Sequence, residues 1–303
     1  MKQILDLILT WDFFHSIILL STPILFATMA ALVSERAGVI NISIEGAMLF
    51  SALMGVIGSA YTNSAFLGVL IAILAGTAFA GLLSFFHLKL QTNIVLTGIA
   101  LNLLASGLTI FIMYVLTGDK GVSSSLPSKT IPMVNIPLID KIPILGNILS
   151  GHNLLTYVAV LLLILLTIFL NRTRLGKYIR AVGENPDSVE TAGISVGSVR
   201  LKALLISGAI SGLGGAFMSM AYVSMFTKDM VAGRGFIALA AEAMGHGNPL
   251  VCAVCVLFFG LADALSNNLQ ILNLSSELMR LIPYVFTLIM LAVYALQEKK
   301  KKG

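Results

Sequence analysis

Two long apolar runs, Leu154 to Leu170 and Leu201 to Tyr222, are separated by a stretch dense in charge, NRTRLGKYIRAVGENPDSVETAGISVGSVRLK, from Asn171 to Lys202. It holds six of the 19 basic residues, Arg172, Arg174, Lys177, Arg180, Arg200 and Lys202, and three of the 14 acidic ones, Glu184, Asp187 and Glu190. A Lys or Arg at the centre of a spanning helix costs about 2.5 to 3.5 kcal/mol, and short loops rich in them stay on the cytoplasmic side. The stretch is therefore expected in water, on the cytoplasmic face, with lipid on both flanks. Inside it, Ala181 to Thr191 reads as a short helix, Gly193 as its stop and Ser195 to Val199 as the start of another element. A structured polar loop at a membrane surface suggests a docking site; the plainer alternative is a solvated connector.

The remainder of the chain obeys the same constraint. Of its 303 residues 57% are hydrophobic and 11% charged, against about 25% charged in a soluble domain, and the mean hydropathy is +0.96. The expected class is an all-α polytopic membrane protein. The net charge of +5 gathers at membrane-flanking positions and in Lys299 to Lys302, which is the positive-inside pattern and argues against a nucleic-acid partner. Cys252 and Cys255 have C-x-x-C spacing but lie in an apolar run with no nearby His or second pair, so buried thiols are expected and no metal site. No phosphate-binding G-x-x-x-x-G-K-[ST] occurs, because Asn171 stands where its first glycine would precede Gly176 and Lys177. H-E-x-x-H and G-x-S-x-G are also missing from the sequence, which leaves metalloprotease and serine-hydrolase chemistry without support.

Residues 1–16 are expected as an N-terminal interfacial segment, 17–297 as the transmembrane domain and 298–303 as a basic cytoplasmic tail. The first span, Ile17 to Val33, runs into SERAGVINISIEGAML, a polar interruption that membrane depth tolerates only against protein or a water-lined cavity. Further spans are expected at Ala47 to Ala60, Ala65 to Phe86, Asn93 to Thr117, Leu154 to Leu170, Leu201 to Tyr222, Leu250 to Leu272 and Leu278 to Leu296. Gly235 to Met244 is only half a span. About nine segments result, some broken or half-length. Residues 118–153, with Pro127, Pro132, Pro137 and Pro143, read as an irregular extracytoplasmic surface loop. If the basic loop 171–202 and the tail are both cytoplasmic, an odd number of crossings lies between them, which puts His87 to Thr92 inside and the N-terminus outside.

Polar side chains at membrane depth persist only with a partner or a task. The candidates for a substrate path are Asn41 and Glu45 in the break, Asn93, Thr97 and Asn102 in NIVLTGIALN, Glu242 in the half-span, and Asp263 and Asn267 in LADALSNN. Asp263 and Asn267 share a helix face. Interhelical hydrogen bonding is the competing explanation for any single member of the set.

Four ordered blocks, SERAGVINISIEGAMLFSA, NIVLTGIALNLLASG, RTRLGKYIRAVGENPDSVETAGISV and GRGFIALAAEAMGHGNP followed by FFGLADAL, resemble the bacterial ABC permeases for nucleosides and simple sugars across Ser34 to Tyr294. The resemblance implies a type II ABC importer permease fold related to the vitamin B12 importer's permease, and a multi-pass location in the bacterial plasma (inner) membrane. It further implies an ABC ATPase subunit carrying ATP and Mg, with no cofactor in this chain, a second permease subunit as a heterodimer partner, and an extracytoplasmic substrate-binding lipoprotein. Arg180, Ala181, Val182, Gly183, Glu184, Asn185 and Pro186 match the family's coupling segment, which seats in a groove of the ATPase. The ERAGVIN block is closer to nucleoside permeases than to the ribose type, whose stretch is rich in Gly and Asp. The chain departs from the pattern at three positions: Ser188 and Val189 replace small alanines after Asp187, and Glu242 stands where the family is usually apolar. The alternatives are a simple-sugar permease, or an ion-coupled secondary transporter that needs no ATPase.

Overall fold

The computed structural model describes residues 10–136, 143–269, 285–289 and 292. The Thr10 side chain accepts the Phe13 amide and starts helix α1, Trp11–Glu35. Trp11 to Ser16, expected in an interfacial segment, are continuous with the helix of the first span. Residues 1–9 of that segment lie outside the described residues.

Where α1 ends, the polar break proves to be a helix stop followed directly by a helix start. Gly38 is left-handed at φ +70, its N–H returns to the Glu35 carbonyl, and the Val39 N–H returns to Ser34, which together close the last turn. Asn41 then accepts both the N–H and the hydroxyl of Ser43 on its Oδ1, and helix α2, Ile44–Thr62, follows. Helix α3, Ala65–Ser84, continues through a π-helical turn at Phe85–Lys89. Helix α4, Ile94–Thr117, is capped by Asn93, whose Oδ1 accepts the Val95 and Leu96 amides.

The connector after α4 is more ordered than its prolines suggested. Strand β1, Met133–Val134, pairs antiparallel with β2, His152–Asn153, and the short helix α5, Pro143–Leu149, falls between them in sequence. Ser123 is buried and bonds the Phe226 backbone in both directions. Proline blocks a long helix but leaves carbonyls free to accept, and Pro132 accepts the Leu154 amide at 3.1 Å. Pro137 lies outside the described residues.

Helix α6, Leu154–Arg172, leads into the basic loop, which holds two helices where one was expected: α7, Arg174–Glu184, and α8, Pro186–Thr191. Pro186 forces the residue before it out of helical geometry; Asn185 is extended at φ −153, and its side chain caps α8 through the Ser188 amide. Helix α9, Val196–Phe217, starts at a Ser195 cap and ends in a π-helical turn, Met218–Tyr222. The half-length α10, Arg234–Gly245, and the long α11, Pro249–Leu269, complete the order.

Among the described residues seven helices are long and apolar enough to cross a membrane. The half-length α10 is the eighth expected segment, and the run expected at Leu278 to Leu296 lies outside the described residues except for 285–289 and 292. The spanning windows of α1 and α9 are each 78% buried, against 22% for α4 and 28% for α6, so α1 and α9 form the centre of this chain and α4 and α6 its outer wall. Small residues set the closest crossing. A Cβ on Gly208 would overlap the Gly76 carbonyl oxygen, and one on Gly76 the Gly208 oxygen, so α3 and α9 meet backbone to backbone.

Candidate functional site

The half-length helix α10 is held at both ends by residues from the break after α1. At its start, the Glu45 carboxylate accepts the Gly233 N–H at 2.8 Å and the Gly235 N–H at 2.7 Å. At its far end, Arg36 donates from Nε and Nη2 to the Gly247 carbonyl, at 2.9 and 2.5 Å. An anion at the start and a cation at the end complement the helix dipole. Short helices leave most of their end groups unpaired, so these two residues supply what α10 cannot supply itself.

More polar groups surround the start of α10. Arg234 reaches Asp263 of α11 at 3.5 Å, with side chains 15% and 11% exposed, a mostly buried ion pair. Ser106 donates to Asp229 at 2.9 Å. Asn102 of α4 accepts the Gly46 amide at 2.8 Å and donates to the Ile42 carbonyl at 2.9 Å, tying α4 to the break on either side of Glu45. Glu45, Asn102 and Asp263 are thus linked to one region through Gly46, Gly233 and Arg234.

The other candidates from the sequence lie elsewhere. Asn41 is fully buried, its amide nitrogen on Ser207 at 2.9 Å and its oxygen on Ser43, so its bonding capacity goes into holding the break against α9. Asn93 and Thr97 sit at the start of α4 beside Phe86 and Leu104 along an apolar cavity of about 500 Å³; the Thr97 hydroxyl meets Thr92 at 2.8 Å. Glu242 lines a cavity of about 330 Å³ with Glu35, Arg36 and His246, at the end of α10 that Arg36 holds. Asn267 is exposed on α11, one turn beyond Asp263. Arg36, Asp229 and Arg234 were absent from the sequence candidates. Charge at the edges of a half-span was the available signal for Arg234, whereas the Arg36 to Gly247 pairing spans 211 positions and has no local signature.

The basic loop joins this assembly through one glycine. Gly176, Ile179 and Val182 bury one face of α7, and Gly183 packs on the turn that ends α1: a Cβ there would overlap the Arg36 carbonyl oxygen and come within 3.2 Å of the Gly38 nitrogen. Arg200 adds a bond from Nε to the Ala37 carbonyl at 3.4 Å. Glu184, Asn185, Asp187 and Ser188 remain exposed at the joint between α7 and α8. The arrangement is a surface segment, a turn and a half-length helix in continuous contact.

A family model described as branched-chain amino acid transport system, permease component, matches residues 13–293. The nucleoside ABC transporter permease NupC of Lactococcus lactis is 32% identical over 290 residues, spanning 92% of this chain and 90% of that protein. The guanosine ABC transporter permease NupQ of Bacillus subtilis is 31% identical over 282 residues, spanning 89% and 88%. A candidate glucose ABC transporter permease of Haloferax volcanii, TsgC13, is 35% identical over 260 residues, spanning 85% and 77%.

Proposed function

This chain belongs to the branched-chain amino acid transport system permease family, and from that premise we propose that it is the permease subunit of an ATP-driven importer that translocates nucleosides. The observation that carries the substrate is the likeness, along nine-tenths of the chain, to permeases named for nucleoside and guanosine transport. The chain is a multi-pass membrane protein and a transport subunit.

In this reading ATP, with Mg, is bound and hydrolysed by a separate ATPase subunit. Arg180 to Pro186 seat in that subunit, presenting Glu184 and Asn185 outward. Movement of α7 passes through Gly183 to the turn at Arg36 to Gly38, and from there to both ends of α10 through Gly247 and Glu45. A binding lipoprotein delivers substrate on the opposite face, and a second permease subunit, different from this one, completes the pore.

A nucleoside is neutral, with a flat base and a hydroxylated sugar, so its path should offer amides, hydroxyls and paired charges. Glu45, Asn102 and Asp263 form the middle of the proposed path, Asn267 continues it along α11, and Asn93, Thr97 and Glu242 line its openings. Asn41 builds the wall behind them. A simple sugar is the second reading, supported by the likeness to the candidate glucose permease.

Competition separates the two. In proteoliposomes holding the assembled transporter, unlabelled nucleosides in hundredfold excess should abolish uptake of labelled guanosine or uridine, while glucose and ribose leave it unchanged. Strong competition by glucose would reverse the assignment.

A further inference from the structure

At the end of the bundle that carries the basic loop, a cavity of about 270 Å³ opens between α6, α7 and the start of α11, lined by Arg36, Arg180, Thr167, Asn171 and Asn248. Its polar lining is cationic and amidic with no carboxylate, and Leu170, Pro249 and Leu250 supply an apolar side. Glu35 and Glu242 line the neighbouring cavity, and Arg36 and Gly247 form the partition between the two. The Arg180 Nε is buried, and no hydrogen-bond acceptor reaches it among the described residues. The side chain as a whole is half-buried, so one N–H of its guanidinium lacks an acceptor, at a cost, and a guanidinium matches the oxygens of a phosphate group in particular.

The cavity adjoins two apolar faces that this chain leaves exposed. On α6 the face that brings Thr167 and Asn171 to it continues as Val160 and Ile164, and on α11 Leu250 is followed at helical spacing by Val254 and Leu257; all five apolar side chains are exposed. Basic pockets between spanning helices at the cytoplasmic surface are suited to lipid headgroups. We propose that this cavity holds the phosphate of an anionic phospholipid from the leaflet on the basic-loop side, with Arg180 and Arg36 as cationic partners and the acyl chains along α6 and α11. The site is independent of the transported substrate.

The test uses the full chain, purified in neutral detergent and titrated with phosphatidylglycerol, phosphatidylcholine or inorganic phosphate, with bound lipid read by native mass spectrometry. One phosphatidylglycerol should be retained at concentrations where phosphatidylcholine is not. Loss of one arginine near the surface should weaken retention about fivefold, so Arg180→Gln is expected to do so. Asn248 caps α11 through the Leu250 amide; Asn248→Asp preserves a cap while adding a negative charge to the cavity, and should weaken retention without loss of fold. Equal retention of phosphatidylcholine, or unchanged retention in both folded variants, would overturn the proposal. So would displacement of the lipid by millimolar inorganic phosphate, which would mark a free-anion site, or its release on assembly with the ATPase, which would assign the cavity to a partner side chain.

Discussion

Gly183 of the basic loop lies against Arg36 of the break so closely that no side chain fits between them. Replacing Gly183 by Ala must push the two backbones apart, at a cost of about 1 to 3 kcal/mol for overpacking. The expected result is a variant that reaches the membrane and assembles, with ATP hydrolysis retained and less nucleoside moved per ATP. An unchanged ratio of transport to hydrolysis would show that force does not pass through this contact.

Glu45 provides two acceptor oxygens to two amides of α10. Glu45→Gln keeps the shape but offers one acceptor oxygen, leaving an amide of Gly233 or Gly235 unpaired, at about 1 to 3 kcal/mol. Glu45→Ala leaves both unpaired and should lower thermal stability further. Melting temperatures of the two variants in detergent check the order, and equal values would contradict the role given to the carboxylate.

Asn102 and Asn267 are both amides on the proposed path, but they differ in setting: Asn102 bonds the backbone of the break on two sides, while Asn267 is exposed on α11. Asn102→Leu should therefore lower both stability and uptake per purified complex, by about 1 to 3 kcal/mol in the former. Asn267→Leu, at an exposed position, should lower uptake with a smaller loss of stability than Asn102→Leu. Normalised uptake unchanged in both variants would remove these residues from the path.

Outside the spans, burial pushes the His152 imidazole below its usual range, and His15 stacks on it with ring centroids 3.8 Å apart. The folded state prefers neutral His152, so its contribution to stability is complete above about pH 6.5. As pH falls below that, the unfolded chain takes up the proton first and stability declines, with the slope of one proton, at most about 1.4 kcal/mol per pH unit. Melting temperature followed from pH 7 to 5 should fall in the parent and fall less in His152→Phe. A parallel decline in both would assign the effect to other groups.

The sequence allowed the spans to be placed because charge is excluded from lipid, and the break within Ser34 to Leu49 because its charged and amide residues interrupt an apolar run. Its internal geometry was also local, resting on Gly38 and Asn41. The division at Asn185 could have been foreseen from Pro186. What the sequence withheld is contact between distant segments: Arg36 with Gly247, Glu45 with Gly233, Asp263 with Arg234 and Asn41 with Ser207 pair residues 29 to 211 positions from one another with no periodic trace. The order in residues 118–136 was hidden for a related reason, since its partners, Met220 and Phe226, arrive from the far end of α9.

The most direct test of an ATP-driven permease is the energy source for uptake. In proteoliposomes containing this chain with its partner permease, ATPase and binding protein, labelled guanosine should accumulate only when ATP and Mg are present on the face bearing the basic loop. A proton or sodium gradient alone should drive none. Uptake driven by such a gradient in vesicles lacking the ATPase would contradict the account and return the chain to the class of ion-coupled transporters.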